Sequence, residues 1–224
     1  MKLLRIDSSP FGAVAISRRL TTDFVERWLA AHPGGMVITR DLTTARIPPI
    51  SAAWVSANYT PKESRTREQN AILKSSAELI AELTHADEYV IGIPMHNWGP
   101  PSSFKLWVDH IITPATLSEK PLAGKRATFI LAAGRFYSST SPDASKNYLV
   151  PWLHTIFDSL GVKDRQFIIA DGTKEVHNGK IDRETFLTQN VKEIDSLFAK
   201  EGVPYIMQVR GNWNSDVASP GIRP

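Results

Sequence analysis

Residues 89–111 read YVIGIPMHNWGPPSSFKLWVDHI and join a short apolar run to a segment with helical spacing. The run at 89–93 is rich in β-branched residues, which favours a buried strand. Phe104, Trp107 and Val108 recur at the spacing of one helical face, which we expect to lie in the core. A strand that leads directly into a helix is typical of a βα unit.

The same alternation of strand and helix runs along the chain. Apolar runs predict five strands, at residues 2–6, 36–38, 89–93, 128–131 and 167–169. Helical segments between them predict a three-layer α/β/α sandwich around a five-stranded parallel sheet. We expect the flavodoxin-like strand order 2-1-3-4-5, with a ligand site at the switch point between strands 1 and 3.

The composition is that of a soluble folded protein. The chain has 224 residues, of which 42% are hydrophobic and 22% charged, with a net charge of +3. We predict one domain over residues 1–204 and a C-terminal extension over 205–224, either a surface arm or disordered. Because the basic residues are scattered, we expect no nucleic-acid partner.

The absence of cysteine excludes disulfides, thiolate metal sites and cysteine nucleophiles. Apolar runs are too short for a signal peptide or a membrane span, which predicts a cytoplasmic protein with no membrane partner. No histidines have metal-ligand spacing, so no metal is expected. His85, His110, His154 and His177 are interpreted as structural or surface residues.

A serine-containing loop leads from Asp7 at the end of strand 1 into the first helix, and residues 8–20 of it read SSPFGAVAISRRL. Ser17 occupies the expected N-cap position, and a helix N-terminus attracts anions. Hydroxyls such as that of Ser9 could hold a phosphate, with added charge from Arg18 and Arg19. The alternative is that these serines only cap the helix and turn the chain.

The segment PMHNWG, residues 94–99, follows strand 3 and should face the same crevice. Pro94, Pro100 and Pro101 restrict its backbone, so its hydrogen-bond donors could be held in place before a ligand arrives. The chain has neither GxxxxGK[ST] nor GxGxxG, which argues against P-loop and Rossmann nucleotide sites. It also has no GxSxG elbow, which argues against a hydrolase.

The serine loop, the PMHNW segment leading into SSFKLWVDHI, and ILAAGR after strand 4 together resemble the FMN-dependent NADH azoreductase and quinone reductase family. The likeness runs over about residues 1–200 and implies FMN as bound cofactor, with NADH or NADPH as co-substrate. It implies no catalytic side chain, since flavin N5 carries the chemistry. The FMN contacts it implies, from phosphate to ring to far ring edge, are Ser9, Ala15, Ile16, Ser17, Pro94, Met95, His96, Asn97, Trp98, Ala132, Ala133, Gly134 and Arg135.

The resemblance implies that hydride passes from NADH or NADPH through FMN to quinones and azo compounds by a ping-pong mechanism. The alternative is a non-enzymatic FMN-binding electron carrier or redox-sensing module. A homodimer is also implied, with Trp54 and Tyr59 as candidate interface aromatics. We expect the long segment at 43–65 to be a loop that covers the site or the subunit interface.

The chain departs from the family at three places. His96 stands where an aromatic residue is usual, and we expect it to donate a hydrogen bond to substrate. Residues 132–135 read AAGR instead of a Ser-Arg-Gly-Gly-like run, so Arg135 could bring a positive charge to the flavin edge. The segment at 113–122 is shorter than its counterpart, which affects the substrate pocket.

Overall fold

One parallel sheet carries all five predicted strands. The computed structural model describes residues 1–138 and 140–199, so the extension predicted at 205–224 lies outside the described residues. The strands are β1 (Lys2–Asp7), β2 (Met36–Asp41), β3 (Glu88–Pro94), β4 (Arg126–Ala133) and β5 (Asp164–Asp171). Their order, β2-β1-β3-β4-β5, confirms the prediction.

Helices connect the strands as expected for a doubly wound sheet. They are α1 (Ile16–Ala31), α2 (Ala52–Tyr59), α3 (Arg67–Ile72), α4 (Lys74–His85), α5 (Ser102–Ile111), α6 (Pro114–Glu119), α7 (Leu149–Ser159), α8 (Thr173–His177) and α9 (Arg183–Phe198). No helix within the described part of the chain combines the length and the apolar character needed to cross a bilayer.

Each face of the sheet has its own apolar core. Leu3 and Leu4 are neighbours on β1 but belong to opposite cores, because successive side chains of a strand point to opposite faces. Phe104 and Trp107 of α5 pack in one core with α4 and α7, as their spacing predicts. Trp28 of α1 packs in the other core, together with α9.

Gly92 of β3 lets α1 approach the sheet closely. A Cβ atom at Gly92 would lie 2.8 Å from the Cγ2 atom of Thr21 and 3.0 Å from Oδ1 of Asp7, which is too close for real atoms. The missing side chain therefore fixes how near α1 lies to β3. It also places the start of α1 beside the carboxyl ends of β1 and β3.

The segment at 43–65 is not the plain loop that the sequence suggested. It contains α2, which Ser51 caps by accepting a hydrogen bond from the backbone N–H of Trp54 at 3.1 Å. The segment at 113–122 likewise contains α6, which begins after a capping box at Thr113. Both helices are short and lack one clear apolar stripe, so their periodicity is weak.

Buried hydrogen bonds fasten the 43–65 segment to the helical layer. The indole N–H of Trp54 donates to Ser76 Oγ at 2.9 Å, and Ser76 Oγ lies 2.8 Å from Nδ1 of His110. The other ring nitrogen of His110 lies 2.8 Å from the carbonyl oxygen of Pro48. Trp54 is only 6% exposed, so its prediction as an interface aromatic is wrong.

Candidate functional site

A cavity of about 410 Å³ opens where the carboxyl ends of β1, β3, β4 and β5 meet. Loops after all four strands contribute to its walls. Its lining residues are Ser9, Phe11, Val14, Ala15, Ile16, Ser17, Pro94, Met95, His96, Ala132, Gly134, Thr173, Lys174, His177 and Arg183. Among these described residues there is no aspartate or glutamate, so the cavity favours anionic ligands.

The N-terminus of α1 forms one end of the cavity and has no side-chain cap. Ala15 occupies the N-cap position with φ −66° and ψ 132°, and alanine has no oxygen that could accept a hydrogen bond. Ser17 is the second residue of the helix, so its prediction as the cap is wrong. The first amides of an α-helix have no acceptor within the helix. At α1 they therefore remain available to a ligand.

Two buried hydroxyls stand beside these amides. Ser9 and Ser17 are 2% and 1% exposed, and both line the cavity. Ser17 makes no side-chain hydrogen bond to any residue that the structure describes, and Ser9 Oγ accepts only a long bond from the N–H of Phe11, 3.4 Å. Ser8 differs, because its hydroxyl donates to the carbonyl oxygen of Gly92 at 2.9 Å.

The arginines of the same turn do not line this end of the cavity, although Arg18 donates a long hydrogen bond to the carbonyl oxygen of Ser9 at 3.4 Å. Arg18 lies 2.8 Å from a carboxylate oxygen of Asp41 and 3.8 Å from one of Asp7, while Arg19 pairs with Asp23 at 3.2 Å. Neither arginine lines the cavity. The charge expected from them is thus engaged in ion pairs, and the sequence-based assignment needs correction here.

The β3–α5 loop is a two-residue hairpin at 96–99. The backbone N–H of His96 donates to the oxygen of Gly99 at 2.9 Å, and Gly99 donates back at 3.0 Å. Asn97 and Trp98 between them have φ of 48° and 64°, as in a type I′ turn. Asparagine tolerates this region, but tryptophan is strained there, at a cost of about 1–3 kcal/mol.

Only the base of this hairpin lines the cavity. Pro94, Met95 and His96 belong to its wall, whereas Asn97 and Trp98 do not, and Trp98 is 49% exposed. The N–H of Met95 donates to the oxygen of Ala132 in β4 at 2.8 Å. This bond holds the hairpin base against the next strand and so adds to the stiffness expected from the prolines.

The β4 loop contributes two of its four predicted residues. Ala132 and Gly134 line the cavity, but Ala133 and Arg135 do not. Ala133 is buried in the sheet, and Arg135 pairs with Asp143 at 2.9 Å. We expected Arg135 to bring a positive charge to the flavin edge, but its guanidinium forms an ion pair with this neighbouring carboxylate instead.

The wall after β5 was missed by sequence reasoning. We define the cationic wall as Lys174, His177 and Arg183, all of which line the cavity. The Nδ1 atom of His177 bonds to the oxygen of Thr173 at 2.7 Å, which leaves Nε2 for other partners. The interpretation of His177 as merely structural or surface was incomplete. The basic residues that follow β5 were the available signal, because β5 ends at the same sheet edge.

Comparisons with known proteins agree with this architecture. A profile of the family described as flavodoxin-like fold matches residues 1–197. FMN-dependent NADH:quinone oxidoreductase 3 of Burkholderia lata is 50% identical over 205 residues, covering 88% of this chain and 99% of the relative. FMN-dependent NADH:quinone oxidoreductase of Acidobacterium capsulatum is 45% identical over 203 residues, covering 86% and 98%.

Solved structures show the same fold at lower identity. The FMN-dependent NADH-azoreductase from Bacillus anthracis in complex with FMN superimposes with a TM-score of 0.77 at 23% identity, over 91% of this chain and 100% of that one. An azoreductase from the Sterne strain of B. anthracis gives 0.77 at 18%, over 89% and 99%. The chain therefore belongs to the flavodoxin-like family that includes proteins named FMN-dependent NADH:quinone oxidoreductases.

Proposed function

We propose that the protein is an FMN-dependent NADH:quinone oxidoreductase that also reduces azo compounds. The observation that carries this proposal is the uncapped N-terminus of α1, with two buried serine hydroxyls beside it, in one cavity with the base of a stiff hairpin. The names of relatives that align over nearly their full length support it.

The polar end of the cavity fits a phosphate. The hydroxyls of Ser9 and Ser17 and the first amides of α1 are donors that no side-chain cap occupies. A hydrogen bond to a charged group contributes about 1.5–3 kcal/mol, so four such bonds contribute about 6–12 kcal/mol towards the cost of association. No carboxylate among the described lining residues opposes the anion.

The other end fits a flat aromatic ring. Pro94, Met95 and Ala132 offer apolar surface, and the bond from Met95 to Ala132 holds the hairpin base in position before a ligand enters. Bound FMN would supply the redox chemistry, by accepting hydride from NADH or NADPH and delivering two electrons to the acceptor. Since the residues build one cavity, both substrates should use it in turn, which predicts ping-pong kinetics.

The positions of the cavity residues allow us to propose individual contacts with FMN. Nine of the thirteen residues implied by the resemblance line the cavity. Asn97 and Trp98 remain candidate FMN contacts because the base of their hairpin forms part of the cavity wall. We expect Ala133 and Arg135 to contribute only through their backbone, since one side chain is buried and the other paired. His96 lines the cavity and is proposed to donate a hydrogen bond to substrate.

The proposed assembly is a cytoplasmic homodimer. Exposed apolar side chains support the dimer: Tyr59 of α2 is 73% exposed, and Phe11 and Val14 at the cavity wall are also exposed. Lack of cysteine is consistent with a reducing compartment. Light scattering tests the dimer, and a monomeric mass at micromolar concentration would contradict it.

The test of function uses the purified protein with FMN, NADH and menadione. We expect a flavin spectrum that persists after gel filtration, bleaches with NADH, and recovers on addition of menadione. Absence of bound flavin would overturn the proposal. Bound flavin that NADH leaves oxidised would instead favour the electron-carrier or redox-sensing alternative.

A further inference from the structure

Arg183 is anchored on the loop that leads into α1. It is the first residue of α9, and its Nη2 donates to the carbonyl oxygen of Val14 at 2.9 Å. Val14 directly precedes Ala15, the N-cap of α1. This bond holds the guanidinium of Arg183 at the residue before the N-cap of α1, and Arg183 lies on the wall of the same cavity.

The guanidinium has further donors available. One of its five N–H groups is used by Val14, and Arg183 forms no ion pair with any residue in the described ranges. The neighbouring Asp182 forms no ion pair with Arg183 that the structure describes, and its Oδ2 accepts instead from the N–H of Thr185 at 2.9 Å and from its hydroxyl at 3.1 Å. An arginine held in this way on a cavity wall is suited to bind an anion through several bonds.

A counter-charge would strengthen the binding of a phosphate at the start of α1. Arg18 and Arg19 are nearest in sequence, but both are engaged by carboxylates and neither lines the cavity. Serine hydroxyls and backbone amides donate hydrogen bonds without carrying a full charge. Of the cationic wall, Arg183 alone is tied to the α1 loop by a hydrogen bond that the structure describes.

We propose that Arg183 recognises the phosphate of the flavin mononucleotide, a role that rests on the function proposed above. The residue thus acts in cofactor binding and not in electron transfer. It discriminates between FMN and riboflavin, which share the ring and ribityl chain and differ in the phosphate. Its contribution should therefore be measurable without any turnover.

The test compares both flavins on the apoprotein by quenching of flavin fluorescence. Arg183→Gln removes the charge and keeps an N–H group for the carbonyl of Val14. We expect it to weaken FMN binding by about 10- to 100-fold, as for loss of a charged hydrogen bond, and to leave riboflavin binding unchanged within about twofold. The FMN dissociation constant should also depend less steeply on salt in the variant.

One control variant removes the same charge elsewhere on α9. Lys192→Gln lies on this helix but outside the cavity lining. An equal loss of FMN affinity in Lys192→Gln, or an equal loss for FMN and riboflavin in Arg183→Gln, would overturn the role of Arg183 while leaving the proposed function intact. A wild-type protein that binds neither flavin would overturn both.

Discussion

At the scale of single residues, Ala15 is an N-cap that makes no side-chain hydrogen bond, and the same is true of the N-caps of α4, α5, α7 and α8. An N-cap is normally a residue with a side-chain oxygen, and the structure shows such caps at Ser51, Thr66, Thr113 and Asp182. At α1 the corresponding residue is alanine, in the backbone conformation that a capping residue would adopt. The helix therefore gives up cap energy at an end that lines the cavity.

Ala15→Asp tests whether the missing cap lowers the stability of the protein and favours the binding of FMN. A carboxylate at the cap should accept from the free amides and raise the free energy of unfolding of the apoprotein by about 0.5–2 kcal/mol. It should also repel the phosphate and weaken FMN binding by more than tenfold. Urea unfolding and flavin titration give the two values. The neutral Ala15→Asn is the control, with similar stabilisation and a smaller loss of affinity. Stability and affinity that fall together would contradict this interpretation.

Trp98 is a second residue that lowers the stability of the protein, in this case through its backbone conformation. Its φ of 64° suits glycine, so relief of the backbone strain in Trp98→Gly should raise the free energy of unfolding by about 1 kcal/mol. Any contacts that the half-exposed indole makes in the wild type reduce this gain. Trp98→Ala keeps the unfavourable φ and serves as the matched variant. Thermal unfolding of both tests the idea. If the glycine variant is no more stable than the alanine variant, the hairpin is not strained at this residue.

At the scale of elements, the structure ties the 43–65 segment to the helices that support the site. Ser76 of α4 lies between Trp54 and His110, and His110 in turn reaches Pro48. Since α5 begins after the 96–99 hairpin, these bonds link the segment to the helix that follows the cavity wall. Ser76 is the central member of this network, because it is buried and the structure describes no other side-chain partner for its hydroxyl.

Ser76→Ala would leave the indole N–H of Trp54 and Nδ1 of His110 without their described partner. Each unsatisfied buried group costs about 1–3 kcal/mol, so we expect a total destabilisation of about 2–6 kcal/mol. Urea unfolding measures it. Ser159→Ala, at a partly exposed serine of α7 that bonds only to a backbone oxygen, should stay within about 0.5 kcal/mol. Equal effects of the two changes would show that the network adds nothing.

At the scale of the whole molecule, an ion pair joins the edge strand to the first helix. Burial alone would raise the pKa of Asp41, but hydrogen bonds from Arg18 and Thr43 outweigh it and lower the pKa to about 2. A folded-state pKa below the ordinary value of 3.8 means that the pair stabilises the protein fully above about pH 4. That stabilisation is lost as the pH falls towards 2.

Asp41→Asn should therefore be less stable than the wild type at pH 7, by about 1 kcal/mol after allowance for the partial exposure of the carboxylate. The difference should shrink between pH 4 and pH 2. Urea unfolding across this range is the measurement. A difference that stays constant down to pH 2 would mean that Asp41 does not titrate with the lowered pKa.

The strands β1, β3 and β4 were predictable because they are apolar runs that must be buried. Residues 36–38 were found, but β2 continues to Asp41 through polar residues that suit an exposed edge strand. The site was predictable where a loop follows a predicted strand, as at Ser9 and Met95. Arg183 was not, since its place in the cavity depends on how α9 packs beside α1.

A cavity wall with three basic side chains and no described carboxylate has a consequence for anyone who purifies the protein. Inorganic phosphate and sulfate resemble the anionic end of the cofactor and should compete for the same donors. Protein prepared in phosphate buffer would then lose its yellow colour on dilution sooner than protein prepared in a zwitterionic buffer.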